Sequence, residues 1–251
     1  MKPITRRKLL LTSGLAAAAV AAGQRPVEAD AGRPPRKLKV VVAGGHPGDP
    51  EAACGGTMAR LADLGHEVVA LYVTRGEAGI RGKTPAEAGA VRTAEAERAC
   101  GILKARARFA DQRDGATELT AARYGAFRRL LQAEQPQMVF THWPIDAHRD
   151  HRATSLLVYD AWLAGGRKFA LYYYEVSTGE ETQHFRPTHY VDITASAPRK
   201  RAACFAHRSQ SPAKFYAAHE AMHQFRGSEA GCRRAEAFVH HEQSPAGVLP
   251  G

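Results

Sequence analysis

Residues 44–51, GGHPGDPE, set His46 and Asp49 three positions apart, directly after the apolar run Val40-Val41-Val42-Ala43. Imidazole nitrogen and carboxylate oxygen are ligand types that zinc takes, and a catalytic zinc site combines three protein ligands with one position left for water. A second cluster, HWPIDAHRDH at residues 142–151, offers one histidine of its HRDH as the third ligand. Such a His-carboxylate-His set would polarise a carbonyl and acidify a water. Asp150 either orients His148 or His151, or caps the helix that follows. A third cluster, HEAMH at residues 219–223, is a literal HExxH, which in metalloproteases puts two histidines (here His219 and His223) on one helix face with the glutamate (Glu220) as base. Glu242, 19 residues beyond His223, would then be a further ligand. The place of this cluster at the end of an alternating α/β chain counts against that reading.

The elements around the first two clusters explain why they would meet. Apolar strand-like runs alternate with helical patterns, the signature of an α/β fold: a Rossmann-like, mostly parallel sheet flanked by helices. KLKVVVAGG reads as a first strand, Ala52–Leu64 as a helix, and HEVVALYVT as a second strand. A helix over Ala86–Leu103, a short strand at 106–109 and a helix over Tyr124–Gln135 follow. PQMVFTHW is the fourth strand, Arg152–Ala164 a helix, KFALYYYEV the fifth strand and HYVDIT an edge strand. Two helices, near Pro198–Ala206 and Ala213–Phe225, end the pattern, the second with Phe215, Met222 and Phe225 turned inward. In open sheets of this kind ligands bind beyond the carboxyl ends of the strands. GGHPGDPE at the end of strand one and HRDH beyond strand four therefore open onto one crevice. GGHPGD does not satisfy G-x-G-x-x-G, which excludes a dinucleotide fingerprint.

With both motifs in view the chain resembles the PIG-L (LmbE-like) family of zinc-dependent de-N-acetylases, whose motifs are (A/G)HPDDxE after the first strand and HxDH after a later one. TRGEAG, RTAEAERACGIL with Arg92 and Glu95, Asp114-Gly115, and KRAACFAHRSQ extend the likeness over residues 38–226. The resemblance implies a zinc cofactor held by His46, Asp49 and His151. It implies His148 as the imidazole that stabilises an oxyanion or protonates a leaving amine, and Arg92, Asp114 and His207 as contacts to substrate or to the ligands. The implied substrate is an N-acetylated amino sugar such as an N-acetylglucosamine conjugate. Gly48 departs from the family, which has there the aspartate regarded as general base. Asp146 and Glu51 are the nearest acidic residues by motif, and His148 alone is a third substitute. A zinc-containing, sugar-binding member without hydrolase activity is the alternative.

The bulk properties fit one domain over residues 38–251, preceded by a linker at 32–37. The 251 residues carry a formal charge of +10. Residues 1–31 hold five basic residues and two acidic ones, leaving +7 for the body. The basic residues are scattered, without a stripe interleaved with aromatics, so no nucleic-acid partner is expected. Arg6-Arg7, a weakly apolar stretch from Leu9 to Ala22 and Ala29-x-Ala31 read as a twin-arginine signal peptide over residues 1–31, predicting export to the periplasm or beyond. About 14 mostly alanine residues are too short to span a core of ~30 Å, so no stable membrane insertion is expected. Cys54, Cys100, Cys204 and Cys232 lack CxxC spacing, which argues against a cysteine zinc site and leaves at most one or two disulfides. His184, His189, His240 and His241 read as surface residues.

Overall fold

The computed structural model describes residues 37–250, so the signal peptide and all but the last residue of the linker lie outside the described residues. The strands are β1 (Lys39–Gly44), β2 (Glu67–Thr74), β3 (Arg106–Gln112), β4 (Met138–His142), β5 (Ala170–Tyr174), β6 (His189–Asp192) and β7 (Ala235–His240). The helices are α1 (Asp49–Asp63), α2 (Pro85–Leu103), α3 (Ala121–Glu134), α4 (Arg149–Ala164), α5 (Ala197–Ala206) and α6 (Tyr216–Ala230). The strands form one sheet in the order β3-β2-β1-β4-β5-β7-β6. The first five of these strands are parallel, and β7 runs antiparallel to both β5 and β6. Among the described residues no helix is long and apolar enough to cross a membrane.

Successive side chains of a strand point to opposite faces, and β1 shows the consequence. Val40 and Val42 pack with Met58, Leu61 and Leu103 on one face, while Val41 and Ala43 pack with Phe127, Leu131, Leu157 and Trp162 on the other. Both faces of the central strands are covered, which is why β1 and β4 are apolar almost throughout. The strand order reverses between β1 and β4, so the crevice beyond their carboxyl ends is the switch point of the sheet.

The structure corrects the expected elements in several places. α1 begins at Asp49 rather than Ala52, with Gly48 at its N-cap and Pro50 in its first turn. α4 begins at Arg149 rather than Arg152, so Asp150 and His151 stand on the helix itself. β7 was not expected, and it separates β5 from the edge strand β6. His184 is exposed as expected, but His189, His240 and His241 are half-buried, and the His189 and His240 rings pack against each other and Tyr172. The inward face of α6 carries Tyr216, His219, His223, Arg226 and Gly227, whereas Phe225 is 57% exposed. All four cysteines are free thiols, three of them buried.

Of the buried polar residues of α6, His223 borders a buried ion pair, Lys200 with Glu236, while Arg226 pairs with Glu175. Lys200 and Glu236 are fully enclosed, with Nζ 2.5 Å from Oε1. Gly56 and Thr57 backbone N–H groups donate to the two Glu236 oxygens at 2.8 and 2.7 Å, and Lys200 Nζ lies 2.8 Å from His223 Nε2. Removing one partner of a buried pair strands the other charge, at a cost of about 3–5 kcal/mol. Lys200→Met is therefore expected to lower unfolding stability by about that amount in urea denaturation. Lys200→Met combined with Glu236→Gln should regain a large part of the loss. A single variant as stable as the native chain would remove the pair as a determinant of stability.

Candidate metal centre

His46 follows β1 in a loop whose backbone is clamped from two strands. Thr74 of β2 donates to Gly45 O from both its backbone N–H and its hydroxyl, at 2.9 Å each. From β4, His142 Nε2 accepts the Gly45 N–H at 3.0 Å. An amide N–H always donates, so His142 is neutral and carries its proton on Nδ1, which has no partner among the described residues. Burial and the neighbouring His151 hold it down at about 4, against the pull of Asp49. The 3.3 Å approach of Asp49 Oδ2 to the same Nε2 is then a contact without a proton between the atoms.

Asp49 lies between the other two expected ligands: His46 Nδ1 and His151 Nε2 are 3.2 and 3.3 Å from its Oδ2. Neighbouring donors about 2.0–2.1 Å from a tetrahedral centre sit about 3.3 Å apart, so each of these two separations suits a zinc-sized ion. Among the described residues, the trios whose donor atoms all lie within 4.8 Å of one another are His46-His148-His151, Asp49-His142-His151 and His46-Asp114-Asp150. The far nitrogen of each imidazole is held by carboxylates. His46 Nε2 lies 3.1 Å from Asp114 Oδ1 and 3.3 Å from Asp150 Oδ2, and His151 Nδ1 lies 3.1 Å from Asp146 Oδ1. Metal-bound histidines are oriented by carboxylates in this way. His148, and separately His142, also bring donor atoms within reach of two of these residues. The donor set and its supports therefore suit a divalent ion.

The charges follow the same geometry. Burial works against the charged imidazole at His46, yet Asp49, Asp114 and Asp150 outweigh it and hold His46 well above its ordinary value. His151 is likewise opposed by burial but raised to about 9 by Asp49 and Asp146. Burial resists ionisation of Asp49, and His151 and His46 overcome it, holding the carboxyl well below its usual range. Positive charge is thus favoured where the carboxylates meet, the field an ion would exploit.

The other expected residues take definite places. The Asp150 carboxylate supports His46 and accepts the Gly115 and Thr117 N–H groups at 2.7 and 3.3 Å, so it holds neither His148 nor His151. The N-cap of α4 is His148, whose Nδ1 accepts the Asp150 N–H at 3.2 Å and whose other nitrogen is left to carry the ring proton. Asp146, considered as a replacement base, has both oxygens engaged: Oδ1 with His151 and the His148 N–H, Oδ2 with the Thr182 hydroxyl. That is the geometry of a positioning group. Glu51 is equally committed, accepting from Tyr72 Oη at 2.6 Å and the Gly48 N–H at 3.1 Å, with His207 Nε2 3.1 Å away. Asp114 holds His46, and Arg92 Nη2 donates to Pro47 O at 2.5 Å. Arg92 Nε and His207 Nδ1 are buried without a partner among the described residues.

A cavity of about 300 Å³ opens beside Gly48 and Asp49 and is bordered by Arg92, Glu181, His207 and His219. Larger hollows of about 610 and 620 Å³ lie along α2 and beside α5 and α6, away from the histidines. The HExxH cluster does not assemble: His223 is bound to Lys200, Glu220 is paired with Arg234 at 2.5 Å, and neither joins a group of metal-binding geometry. The metalloprotease reading is therefore set aside. His219 nevertheless reaches the cavity wall, and His142 and Glu181 border the centre without having been singled out by any sequence pattern.

These features define a Rossmann-like α/β protein with a histidine-carboxylate metal cradle at its switch point. Residues 40–162, from β1 into α4, match the family described as PIG-L, GlcNAc-PI de-N-acetylase. No curated protein matches it. Among solved structures it is similar to N,N'-diacetylchitobiose deacetylase from Pyrococcus horikoshii, with 25% identity over 83% of this chain and 87% of that one and a TM-score of 0.73. It is also similar to the conserved protein TT1542 from Thermus thermophilus, with 29% identity, 85% and 97% coverage and a TM-score of 0.72. A 4-carboxy-2-hydroxymuconate hydratase, GalB from Pseudomonas putida, shares the fold at 22% identity, with coverage of 85% and 100% and a TM-score of 0.73.

Proposed function

We propose that this chain is a zinc-dependent hydrolase that removes the acetyl group from an N-acetylglucosamine-like amino sugar. The observation that carries the reading is the approach of His46 Nδ1 and His151 Nε2 to one oxygen of Asp49, with a carboxylate behind each imidazole. The PIG-L match and the likeness to a diacetylchitobiose deacetylase give the reaction class. When bound, zinc would polarise the acetamide carbonyl and acidify the attacking water. His148, fixed by its N-cap bond, directs an N–H toward the cluster, where it stabilises charge developing on the carbonyl oxygen. Arg92 and His207 border the cavity and are the side chains that would bond sugar hydroxyls.

The competing reading is a zinc-containing sugar-binding protein without turnover, and Gly48 is what favours it. The test is metal analysis of the purified protein together with acetate release from N-acetylglucosamine and N,N'-diacetylchitobiose. About one zinc per chain with acetate release is expected. Stoichiometric zinc and sugar binding without release would establish the binding protein instead.

A further inference from the structure

Among the described residues, every carboxylate that faces the cluster has at least one oxygen within hydrogen-bond distance of a partner, except one. Asp49 meets three imidazoles, Asp114 and Asp150 hold His46, Asp146 holds His151, and Glu51 bonds Tyr72 and the Gly48 N–H. Glu181 borders the same cavity as Gly48 and Asp49, and its carboxylate makes no hydrogen bond among the described residues. Its Oε2 stands 4.0 Å from His151 Nδ1, and the side chain is 34% exposed, within reach of water. Glu180 also borders the cavity but is exposed.

The backbone under Glu181 is fixed to the segment that presents the second motif. Its carbonyl accepts the Ala147 N–H at 2.9 Å, and its N–H donates to Ser177 O at 2.9 Å. The adjoining Thr182 forms a β-bridge with Asp146, donates its hydroxyl to the Asp146 carboxylate and accepts the Val176 N–H. The β5–β6 connection therefore brings a carboxylate to the cavity that Gly48 and Asp49 also line.

We infer that Glu181 supplies the general base that Gly48 cannot, accepting the proton of the attacking water in the cavity that both residues line. This rests on the deacetylase reading above. In the step, the water oxygen bonds to the acetamide carbon as the C=O π pair moves onto the carbonyl oxygen and one of the water's protons passes to the Glu181 carboxylate. The π pair returns to re-form the C=O as the C–N bond breaks, the nitrogen keeps the bonding pair and takes that proton, and acetic acid leaves with its own proton, which the amine gains in water. Amide and water thus become ammonium and acetate.

The experiment compares the full chain, Glu181→Gln, Glu181→Ala and Glu181→Gln/Gly48→Asp. Acetate release from N-acetylglucosamine, zinc per chain and melting temperature are measured for each. Since Glu181 makes no hydrogen bond through its side chain, both single variants should fold and hold zinc as the native chain does. They are expected to lose about 10²–10⁴ in rate. Gly48→Asp in the Glu181→Gln background should restore at least about tenfold, because it returns a base to the cavity. Undiminished turnover in either single variant overturns the inference, as does loss of zinc, which would make Glu181 a ligand or a support for one. A failure of Gly48→Asp to restore any rate to folded, zinc-loaded Glu181→Gln also counts against it. Absence of release by the zinc-loaded native chain overturns the deacetylase reading and the base together.

Discussion

The His46→Ala, Asp49→Ala and His151→Ala proteins are each expected to emerge without stoichiometric metal and with acetate release reduced at least about 10³-fold. A metal contributes several kcal/mol of transition-state charge stabilisation, and about 4 kcal/mol corresponds to that factor. Two protein donors cannot fix a centre that relies on three. The supports give a graded version of the same result: Asp150→Asn keeps all three ligands but weakens the hold on His46 Nε2, and about 10–100-fold in metal affinity should go with it. Glu220→Ala is the contrast, since Glu220 pairs with Arg234 and should leave metal content and turnover as they were. Elemental analysis and competitive chelation read all five proteins. Zinc lost from Glu220→Ala and kept by the three ligand variants would reverse the assignment.

Gly48→Asp in the otherwise native chain is expected to raise deacetylation about tenfold while lowering the melting temperature. Two effects compete at this position. The backbone stands at φ +109°, where a side chain costs on the order of 1–3 kcal/mol. For a chain of this size that corresponds to several degrees, at about 2–4 °C per kcal/mol. Space does not oppose the change, because the nearest atoms to an added Cβ are His207 Cδ2 and Cγ at 3.9 Å. A base at the cap of α1 would be held by a helix, whereas Glu181 reaches from a connecting loop, and groups on regular elements are positioned more tightly. The full benefit of a base, about 10²–10⁴, is not available where Glu181 already acts, hence the smaller factor. Gly48→Ala carries the same strain and no carboxylate, so the ratio of the two variants isolates the chemistry. Equal rates with zinc retained would mean that no base is wanted at this end of the cavity.

The parallel core was legible because its strands are apolar runs and its helices repeat at helical spacing, so β1, β2, β4 and β5 stood out together with the motifs at two carboxyl ends. β7 escaped because AEAFVH carries a glutamate in its second position, and a charged residue there argues against a buried strand until its partners are known. Those partners, Lys200 and two backbone N–H groups of α1, come from distant parts of the chain. The inward face of α6 was misread for a related reason: its apolar residues were assumed to point in, yet Arg226 is buried on Glu175 and His223 on Lys200. The early starts of α1 and α4 were half visible, in Pro50 for the first, while a histidine N-cap lies outside the usual capping residues. His142 had no motif spacing, and its one signal was its place at the end of a central strand. Glu181 sits in a connection without pattern, and only the tertiary structure brings it to the cavity.

The placement of β7 bears on the order in which the molecule is finished during synthesis. Domains emerge from the ribosome amino end first, at about 5–20 residues per second. β1 through β5 and the flanking helices can pair as they appear, each beside a neighbour already made. β6 cannot, because its place in the sheet is next to β7, the last strand to be translated. Until residues 235–240 arrive, Tyr174 has no partner on its open side and His189–Asp192 has no strand to pair with. The segment between them, which carries Glu181, is by then already tied to Ile145, Asp146 and Ala147, and only its β6 end waits for a partner. His46 after β1, Asp49 on α1 and His151 on α4 are thus all translated early, as is the Glu181 wall of the cavity, whereas the edge of the sheet formed by β6 is finished only with the final strand.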